Sequence, residues 1–205
     1  RSSTRPLLHV SDLVHRNDPM SVGEGSSTDE MVMHGVNRLL SMQTPSGGFA
    51  YWPGGSSPHP WGSAYATDIL LEASEQDYAV PRERIDRALS WMEKYVDDQG
   101  RGGGDTWLGT PGLAFMHFVL ARADRGHKAQ IARLIRALPE RLSGAERERA
   151  YLLEAALYLA GDRRYEDSLK DPFVDRETGG RETGGDFYSH RRRRAMMLNV
   201  FVELF

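Results

Sequence analysis

Apolar residues recur along most of the chain at the three- and four-residue spacing of amphipathic helices. From Ile85 to Val96, for example, apolar side chains follow one another at i, i+3, i+4 and i+7, which is typical of a helix with one buried face. No segment of the sequence shows sustained two-residue alternation, the pattern of a half-buried strand. The pattern therefore predicts an all-α fold.

Proline and glycine divide this pattern into predicted elements. Pro45 ends one helix, Pro81 favours the first turn of another, and glycine-rich loops lie at 97–105 and 179–185. The predicted helices cover about residues 7–15, 27–42, 63–73, 81–96, 113–121, 131–138, 143–159, 163–169 and 191–202.

The later helices alternate between two kinds. Those around Ala88 and Leu134 are apolar on one side. Those around Phe115, Ala155 and Leu198 are apolar nearly all round and should be buried widely. Inner helices covered by outer ones produce this alternation in a double-layered ring of helix pairs, an α/α toroid. We therefore expect one α/α toroid domain over all 205 residues, incomplete and truncated at both ends, with apolar surface left exposed. A simple bundle or a solenoid is the alternative.

A loop rich in glycine, proline and aromatic residues follows the helix that ends near Gln43. Pro45 disfavours continuation of that helix, and Gly47–Gly48 provides the positive-φ freedom for a sharp reversal. Four large aromatic side chains then fall within a short span: Phe49, Tyr51, Trp52 and Trp61. We expect them to plug the end of the helical core; the alternative is that they line a pocket.

Composition narrows the possible functions. The sequence has no cysteine, so it provides no disulfide, thiolate nucleophile or cysteine-ligated metal. A net charge of −3 predicts no binding to nucleic acid or to an anionic membrane. No apolar run approaches the ~20 residues of a membrane span, and the polar start at Arg1 is unlike a signal peptide. We expect a piece of a longer protein that needs no cofactor or metal.

Two motifs are similar to a known family. Residues 40–54 have the pattern Leu-x-x-Gln-x-x-x-Gly-Gly-Phe-x-Tyr-Trp-Pro-Gly, and residues 61–70 have Trp-x-x-Ala-Tyr-x-x-Asp-x-Leu. Both resemble the thioester domain of bacterial alpha-2-macroglobulins, which are relatives of complement proteins. Ser2–Leu8 resembles the stretch just after that family's thioester motif, and residues 186–198 resemble a later helix start of the same domain.

The resemblance implies an α/α toroid within a periplasmic parent protein that traps proteases, with a membrane-anchored lipoprotein as a candidate form of the parent. The implied partners are the target proteases and the neighbouring macroglobulin domains of the same parent. The resemblance also implies candidates for the thioester pocket, in and after the aromatic-rich loop: Gln43, Phe49, Tyr51, Trp52, His59, Trp61 and Tyr65.

The sequence departs from the family at the thioester itself. The family joins a Cys to a Gln within Cys-x-Glu-Gln, and this chain has no Cys. The match at Ser2–Leu8 favours a segment just downstream of that motif; a parent without a thioester is the alternative. Complement-type members also use a histidine beyond the second glycine loop, and residues 96–113 contain none. An upstream thioester is therefore expected to react with amines.

Several residues fit an enzyme instead. Asp68 and Glu72 are four residues apart and share a helix face, as the two carboxylates of a glycosidase could. The rival hypothesis is thus a carbohydrate-active α/α-toroid enzyme, a glycosidase or lyase, that uses Asp68 or Asp105. His59 is expected to be solvated or structural, and His117 to be a core histidine with satisfied hydrogen bonds. We favour a binding and structural module that is not an enzyme.

Four consecutive arginines, Arg191–Arg194, begin the last predicted helix. The helix macrodipole disfavours cations at this end, so nearby acceptors are needed. We expect at least one of these arginines to pair with a carboxylate of the segment 171–186.

Overall fold

The computed structural model describes residue 8 and residues 28–100, 109–142, 144–171 and 190–205. Its helices are α1 (Thr28–Ser41), α2 (Pro60–Glu75), α3 (Arg82–Gly100), α4 (Gly109–Arg122), α5 (Lys128–Arg136), α6 (Gly144–Leu159), a 3-10 turn (Arg163–Tyr165), α7 (Glu166–Lys170) and α8 (His190–Leu204). Within these residues there is no strand, and Gln43 and Phe49 form an isolated antiparallel bridge. The all-α prediction is confirmed, whereas closure into a toroid stays a prediction.

The chain divides into two compact units, Arg1–Met92 and Glu93–Phe205. The prediction of one domain over the whole chain stays a prediction. The first predicted helix, at 7–15, falls outside the described residues except for Leu8, which is buried. The third glycine-rich loop, at 179–185, also falls outside them.

Some helices begin earlier than their apolar residues predicted. α2 begins at Pro60 because His59 caps it: the Gly62 N–H donates to His59 Nδ1 at 3.0 Å, and proline is favoured in the first turn. α4 also begins early, at Gly109. α8 begins at His190, as predicted from the placement of Arg191–Arg194 in the first turn of the last helix. Polar and small residues therefore extend the N-terminal ends of these helices beyond the apolar residues from which the helices were predicted.

The second glycine-rich loop was predicted to start at residue 97, and this boundary is wrong, because α3 continues to Gly100. Val96 is fully buried, and its carbonyl accepts a hydrogen bond from Gln130 Nε2 at 3.0 Å. These contacts anchor the end of the helix. Glycine disfavours a helix by only about 1 kcal/mol, so packing can extend α3 as far as the first glycine.

Unit 1 contains α1, α2 and the first part of α3. α1 buries one face, as predicted, while α2 buries most of its residues. Tyr78 Oη donates a hydrogen bond to Asp29 Oδ1 at 2.8 Å and so ties the turn after α2 to the start of α1. The buried apolar side chains of the three helices are Val32, Val36, Leu40, Ala64, Ala66, Ile69, Leu70, Ala73, Ile85, Ala88, Leu89 and Met92.

Unit 2 is arranged around α6, which contacts α4, α5, α7 and α8. Its most extensive contact is with α4. Every residue from Ala114 to Ala121 of α4 is buried, and α6 is buried nearly as completely. Ile131 of α5 is buried, and the opposite face of this helix is exposed to solvent. The predictions for these three helices are confirmed.

α8 was expected to be buried widely, and this expectation is wrong for one of its faces. Met196, Met197 and Val200 are buried, but Leu198 is 59% exposed and Val202 is 67% exposed. α8 packs against α6, and the two exposed residues are one turn apart on the same face. An apolar sequence therefore buries a helix only where a neighbour lies against it.

The arginines at the start of α8 find an acceptor on α6. Arg192 Nη2 lies 3.7 Å from Oε1 of the buried Glu148. Arg193 is also buried, and its guanidinium occupies the space that a side chain at Gly144 would fill. Apart from Asp171, the partners predicted in the segment 171–186 lie outside the described residues. Pairing with that segment stays a prediction.

His117 is a core residue, but its hydrogen bonds are not satisfied, which corrects the prediction. Its side chain is fully buried on α4, and neither ring nitrogen has a hydrogen-bond partner within the described part of the chain. Burial lowers the pKa of His117 to about 4, with a smaller contribution from His127, and Asp97 opposes the shift. The ring is therefore neutral at pH 7.

Candidate functional site

The candidate site is the segment Met42–His59 between α1 and α2, which we call the aromatic loop. It starts with a tight turn in which the Thr44 N–H donates to the Gly48 carbonyl at 2.8 Å and the Gly47 N–H donates to the Thr44 carbonyl at 3.0 Å. Gly47 has φ +107°, a conformation that side chains other than glycine rarely adopt. The reversal predicted at Gly47–Gly48 is confirmed.

The loop is fastened to the start of α2. The Phe49 N–H donates to Ser63 Oγ at 2.7 Å, and the His59 N–H donates to the Phe49 carbonyl at 2.8 Å. Phe49 and Ser63 are both buried. Because the backbone of Phe49 is bonded on both sides, its side chain is held in the core of unit 1.

Two arginines of α3 hold the other side of the turn. Arg84 Nη2 donates to the Leu40 carbonyl at 2.6 Å, and Arg87 Nη2 donates to the Pro45 carbonyl at 3.0 Å. The last carbonyls of a helix have no partner within it, and Arg84 adds a second donor to the Leu40 carbonyl, which also accepts the Gln43 N–H at 3.2 Å. The side chain of Gln43 is bonded to Arg84 as well.

Trp91 of α3 lies directly on the turn. A Cβ atom at Gly48 would come within 2.8 Å of Trp91 Cδ2 and 2.6 Å of Pro58 Cβ. These distances are shorter than any real carbon contact, so only glycine fits between the indole and the proline. Gly48 therefore supplies space, whereas Gly47 supplies both the dihedral angle and space, because a Cβ atom there would overlap the backbone carbonyl of Arg87.

The aromatic side chains of the loop do not share one environment. Phe49 is buried, whereas Tyr51 is 49% exposed and Trp52 is 76% exposed. Trp61 and Tyr65 are half-buried and stack on each other, with ring centroids 5.1 Å apart. The plug hypothesis is correct for Phe49 and wrong for Tyr51 and Trp52.

His59 has a structural role, which is one of the two roles, solvated or structural, that the sequence predicted. Its Nδ1 accepts the Gly62 N–H, and its ring lies 4.4 Å from the Tyr51 ring. Burial lowers the pKa of His59 and raises that of Tyr51. Both side chains are thus neutral at pH 7, and the hydrogen bond at Nδ1 assigns the His59 proton to Nε2.

The structure does not favour the rival enzyme site. Asp68 and Glu72 are on one face of α2, as predicted, but Asp68 has no exposed surface and Glu72 is also buried. A general acid or base must reach its substrate. Asp105 lies outside the described residues. Within the described ranges, no group of three or more His, Asp or Glu side chains is placed to hold a metal ion.

Sequence analysis missed the residues of α3 that hold the loop. Arg84, Arg87 and Trp91 are spaced i, i+3 and i+7, so they share one face of the helix. This spacing is visible in the sequence. These three residues were not predicted as site residues, because the apolar periodicity of α3 draws attention to a different face of the helix.

No protein-family model matches the sequence. The chain is 32% identical over 177 residues to the alpha-2-macroglobulin of Escherichia coli K12, a match that covers 82% of this chain and 10% of that protein. Its structure is similar to Salmonella alpha-2-macroglobulin reacted with methylamine, with a TM-score of 0.77 and 27% identity, covering 98% of this chain and 13% of the other. Escherichia coli alpha-2-macroglobulin activated by porcine elastase gives a TM-score of 0.76 and 26% identity, covering 98% and 18%.

The fold is therefore that of a helical region found in large multidomain proteins. The chain belongs to the bacterial alpha-2-macroglobulin family, and it spans about a tenth of the length of the curated relatives that it matches. Among the described helices, none is both long enough and apolar enough to cross a membrane.

Proposed function

We propose that this chain is the part of a bacterial protease-trapping inhibitor that follows the Cys-x-Glu-Gln thioester motif, and that it has no catalytic activity of its own. The observation that carries the proposal is the similarity over 98% of the chain to Salmonella alpha-2-macroglobulin reacted with methylamine. Methylamine is a small amine, and amines attack the acyl carbon of a thioester directly.

Two further comparisons support target proteases as the partners. The structure of this chain is also similar to those of Escherichia coli alpha-2-macroglobulin activated by porcine elastase and activated by trypsin. In the proposed role, this chain supplies a helical scaffold next to the thioester, and neighbouring domains of the same polypeptide contact it. We also propose a periplasmic location, with a lipoprotein anchor elsewhere in the parent, because the resemblance implies both.

The aromatic loop is the proposed wall of the thioester pocket. Its turn is held by hydrogen bonds from α2 and α3, while Tyr51 and Trp52 extend from it with exposed rings. Rigid apolar rings could exclude water from an adjacent thioester and slow its hydrolysis. Gln43, His59, Trp61 and Tyr65 would support those rings without reacting.

The test uses the full-length protein that contains this chain. Trypsin is added in equimolar amount, and its cleavage of a large protein and of a small chromogenic peptide is measured. A trap should block the large substrate and leave cleavage of the small one, because only the large one is kept from the enclosed protease. Unchanged cleavage of both substrates would contradict protease trapping.

A second measurement tests the thioester. Methylamine treatment of the full-length protein should release one titratable thiol per polypeptide. Since this chain contains no cysteine, the thiol must come from another part of the polypeptide. Trapping without thiol release would place the parent in the branch that lacks a thioester. Turnover of polysaccharides that is lost in Asp68→Asn would overturn the proposal in favour of the enzyme.

A further inference from the structure

The solvent side of α5 carries three cations that form no ion pair with any residue that the structure describes. Ile131 is fully buried, and the residues on the side of the helix away from it are alanines and cations. We call this surface the α5 outer face, and its members are Lys128, Ala129, Ala132, Arg133 and Arg136. All except Ala132 are exposed, and none of the five is acidic or a large apolar residue.

The two arginines of the α5 outer face differ from other arginines of unit 2, which have carboxylate partners. Arg122 Nε, for example, lies 2.7 Å from Glu203 Oε1. Arg133 and Arg136 have no such partner in the described ranges, although they are only three residues apart and repel each other across one helical turn. The carboxylates that would balance them are therefore absent from the described surface of unit 2.

Lys128, at the edge of the same face, is not neutralised either. Asp162 is close enough to interact electrostatically with Lys128, but its carboxylate is bonded to Arg164, with Nη2 2.6 Å from Oδ2. The helix macrodipole also disfavours a cation in the first turn of a helix, and Lys128 is the first residue of α5. The stability of α5 therefore does not account for this cation.

We propose that the α5 outer face docks against an acidic surface of another domain of the same polypeptide. This inference rests on the part of the proposed function in which neighbouring domains contact this chain. A guanidinium group can bind a carboxylate through two parallel hydrogen bonds, so Arg133 and Arg136 suit aspartate and glutamate side chains. The alanines between the cations are small and let a partner backbone come close to the helix.

The observations favour a protein partner over an anionic membrane or a nucleic acid. A helix that binds a membrane surface inserts an apolar face into it, and Ile131 of α5 is already buried in unit 2. Tight binding to DNA needs many contacts to phosphates, whereas the α5 outer face offers three cations within a chain of net charge −3.

The weakness of surface ion pairs favours a partner on the same polypeptide. One exposed ion pair strengthens association by about five-fold at most, so three pairs cannot hold a separate protein at micromolar concentration. A tethered domain is present at an effective concentration of about 1 mM, so a few ion pairs can orient it. The chain accounts for 13% of the Salmonella structure that it resembles, and proteins of this kind therefore have ample further sequence to supply the acidic surface.

The experiment places a photo-crosslinking amino acid at position 129, the exposed alanine next to Lys128, in the full-length protein. The crosslinked peptide is identified by mass spectrometry. The same protein is made with the double reversal, Arg133→Glu combined with Arg136→Glu. The matched control combines Arg38→Glu with Arg82→Glu, which changes the net charge equally at two exposed arginines of unit 1.

The crosslink should join position 129 to a peptide that is rich in Asp and Glu and lies outside these 205 residues of the same polypeptide. Its yield should fall about ten-fold in the double reversal and stay unchanged in the control. It should also fall at least about five-fold when NaCl is raised from about 0.05 M to about 1 M. This salt titration keeps both arginines, so it does not depend on the folding of the variant. Replacing the acids of the crosslinked peptide with Lys should restore the yield in the double reversal.

Several results would overturn the proposal. A yield that survives both the double reversal and high salt would mean that charge does not hold the contact. Crosslinks between molecules would assign the face to a second copy, and crosslinks within the 205 residues would assign it to this chain. Absence of any crosslink, with or without binding of phosphatidylglycerol vesicles or duplex DNA, would also contradict a docked domain. No protease is used, so a parent that fails to trap proteases leaves these results standing.

Discussion

Gln43 and Arg84 exchange hydrogen bonds in both directions, although they are 41 residues apart. The Arg84 Nε–H donates to Gln43 Oε1, and Gln43 Nε2 donates to the backbone carbonyl of Arg84 at 2.8 Å. The same Nε2 donates to the Gly47 carbonyl at 2.8 Å. Every polar atom of the Gln43 amide is therefore used to join the end of α1, the tight turn and the start of α3.

We expect Arg84→Ala to lower the free energy of unfolding by about 1–3 kcal/mol, because it leaves Gln43 Oε1 without its donor and removes one of the two donors to the Leu40 carbonyl, which also accepts the Gln43 N–H. Gln43→Glu should have an effect of similar size, since a carboxylate cannot donate to the Gly47 and Arg84 carbonyls. Urea unfolding of the chain measures both. Arg82→Ala changes an exposed arginine two residues away and should have almost no effect. Equal stability of all three variants would contradict the proposed clamp.

Gly48→Ala should destabilise unit 1 by about 1–3 kcal/mol, because the added methyl group overlaps Trp91 and Pro58. Gly54→Ala is the matched control. Gly54 also lies in the aromatic loop, with φ +78°, but a Cβ atom there would meet nothing within 4 Å. Gly54→Ala should therefore lower the free energy of unfolding by only about 1 kcal/mol, which is the backbone strain of alanine at a positive φ. Thermal unfolding that ranks Gly54→Ala as the more harmful change would show that space at Gly48 is not limiting.

Phe49→Ala and Trp52→Ala should separate the core role of the loop from its surface role. Phe49 is 3% exposed, and loss of a buried phenylalanine typically costs about 3–5 kcal/mol. Trp52 is 76% exposed, so its loss should change stability by less than about 0.5 kcal/mol. In the full-length protein, Trp52→Ala should instead speed the spontaneous loss of the thioester. An unchanged rate of thiol release would remove Trp52 from the proposed pocket wall.

The buried His117 should make stability depend on pH in the acid range. Its pKa is lowered to about 4 by burial, compared with about 6.5 in an unfolded chain. Between these values the unfolded state binds more protons than the folded state, so the free energy of unfolding falls as the pH falls from 6.5 towards 4. Above pH 6.5 the ring is neutral in both states and contributes no slope.

The free energy of unfolding of His117→Leu should therefore rise by about 2 kcal/mol relative to that of the wild type as the pH is lowered from 7 to 5. Urea unfolding at a series of pH values measures this difference. Burial raises the pKa of Glu148, which acts in the opposite direction, but this effect is common to both proteins and cancels in the difference. His34→Leu changes an exposed histidine of α1 and should leave the slope as it is. Parallel curves for wild type and His117→Leu would contradict the prediction.

The sequence by itself determined the helices and the turn. Apolar spacing is a local property, and it distinguished one-sided α5 from all-round α4 and α6 because a helix face repeats every three to four residues. The turn at Gly47–Gly48 was equally predictable, since Pro45 and the two glycines restrict or free the backbone at their own positions. The similarity to alpha-2-macroglobulins was visible in the same short segments.

Only the tertiary structure decided what each side chain meets. Phe49 and Trp52 are aromatic residues three positions apart in one loop, yet Phe49 is buried and Trp52 is exposed. Arg84 and Glu148 became partners of Gln43 and Arg192 through contacts between segments far apart in the sequence. Leu198 is apolar and exposed because no described helix lies against its face. Periodicity encodes a preference for burial, but burial itself depends on which other segment arrives there.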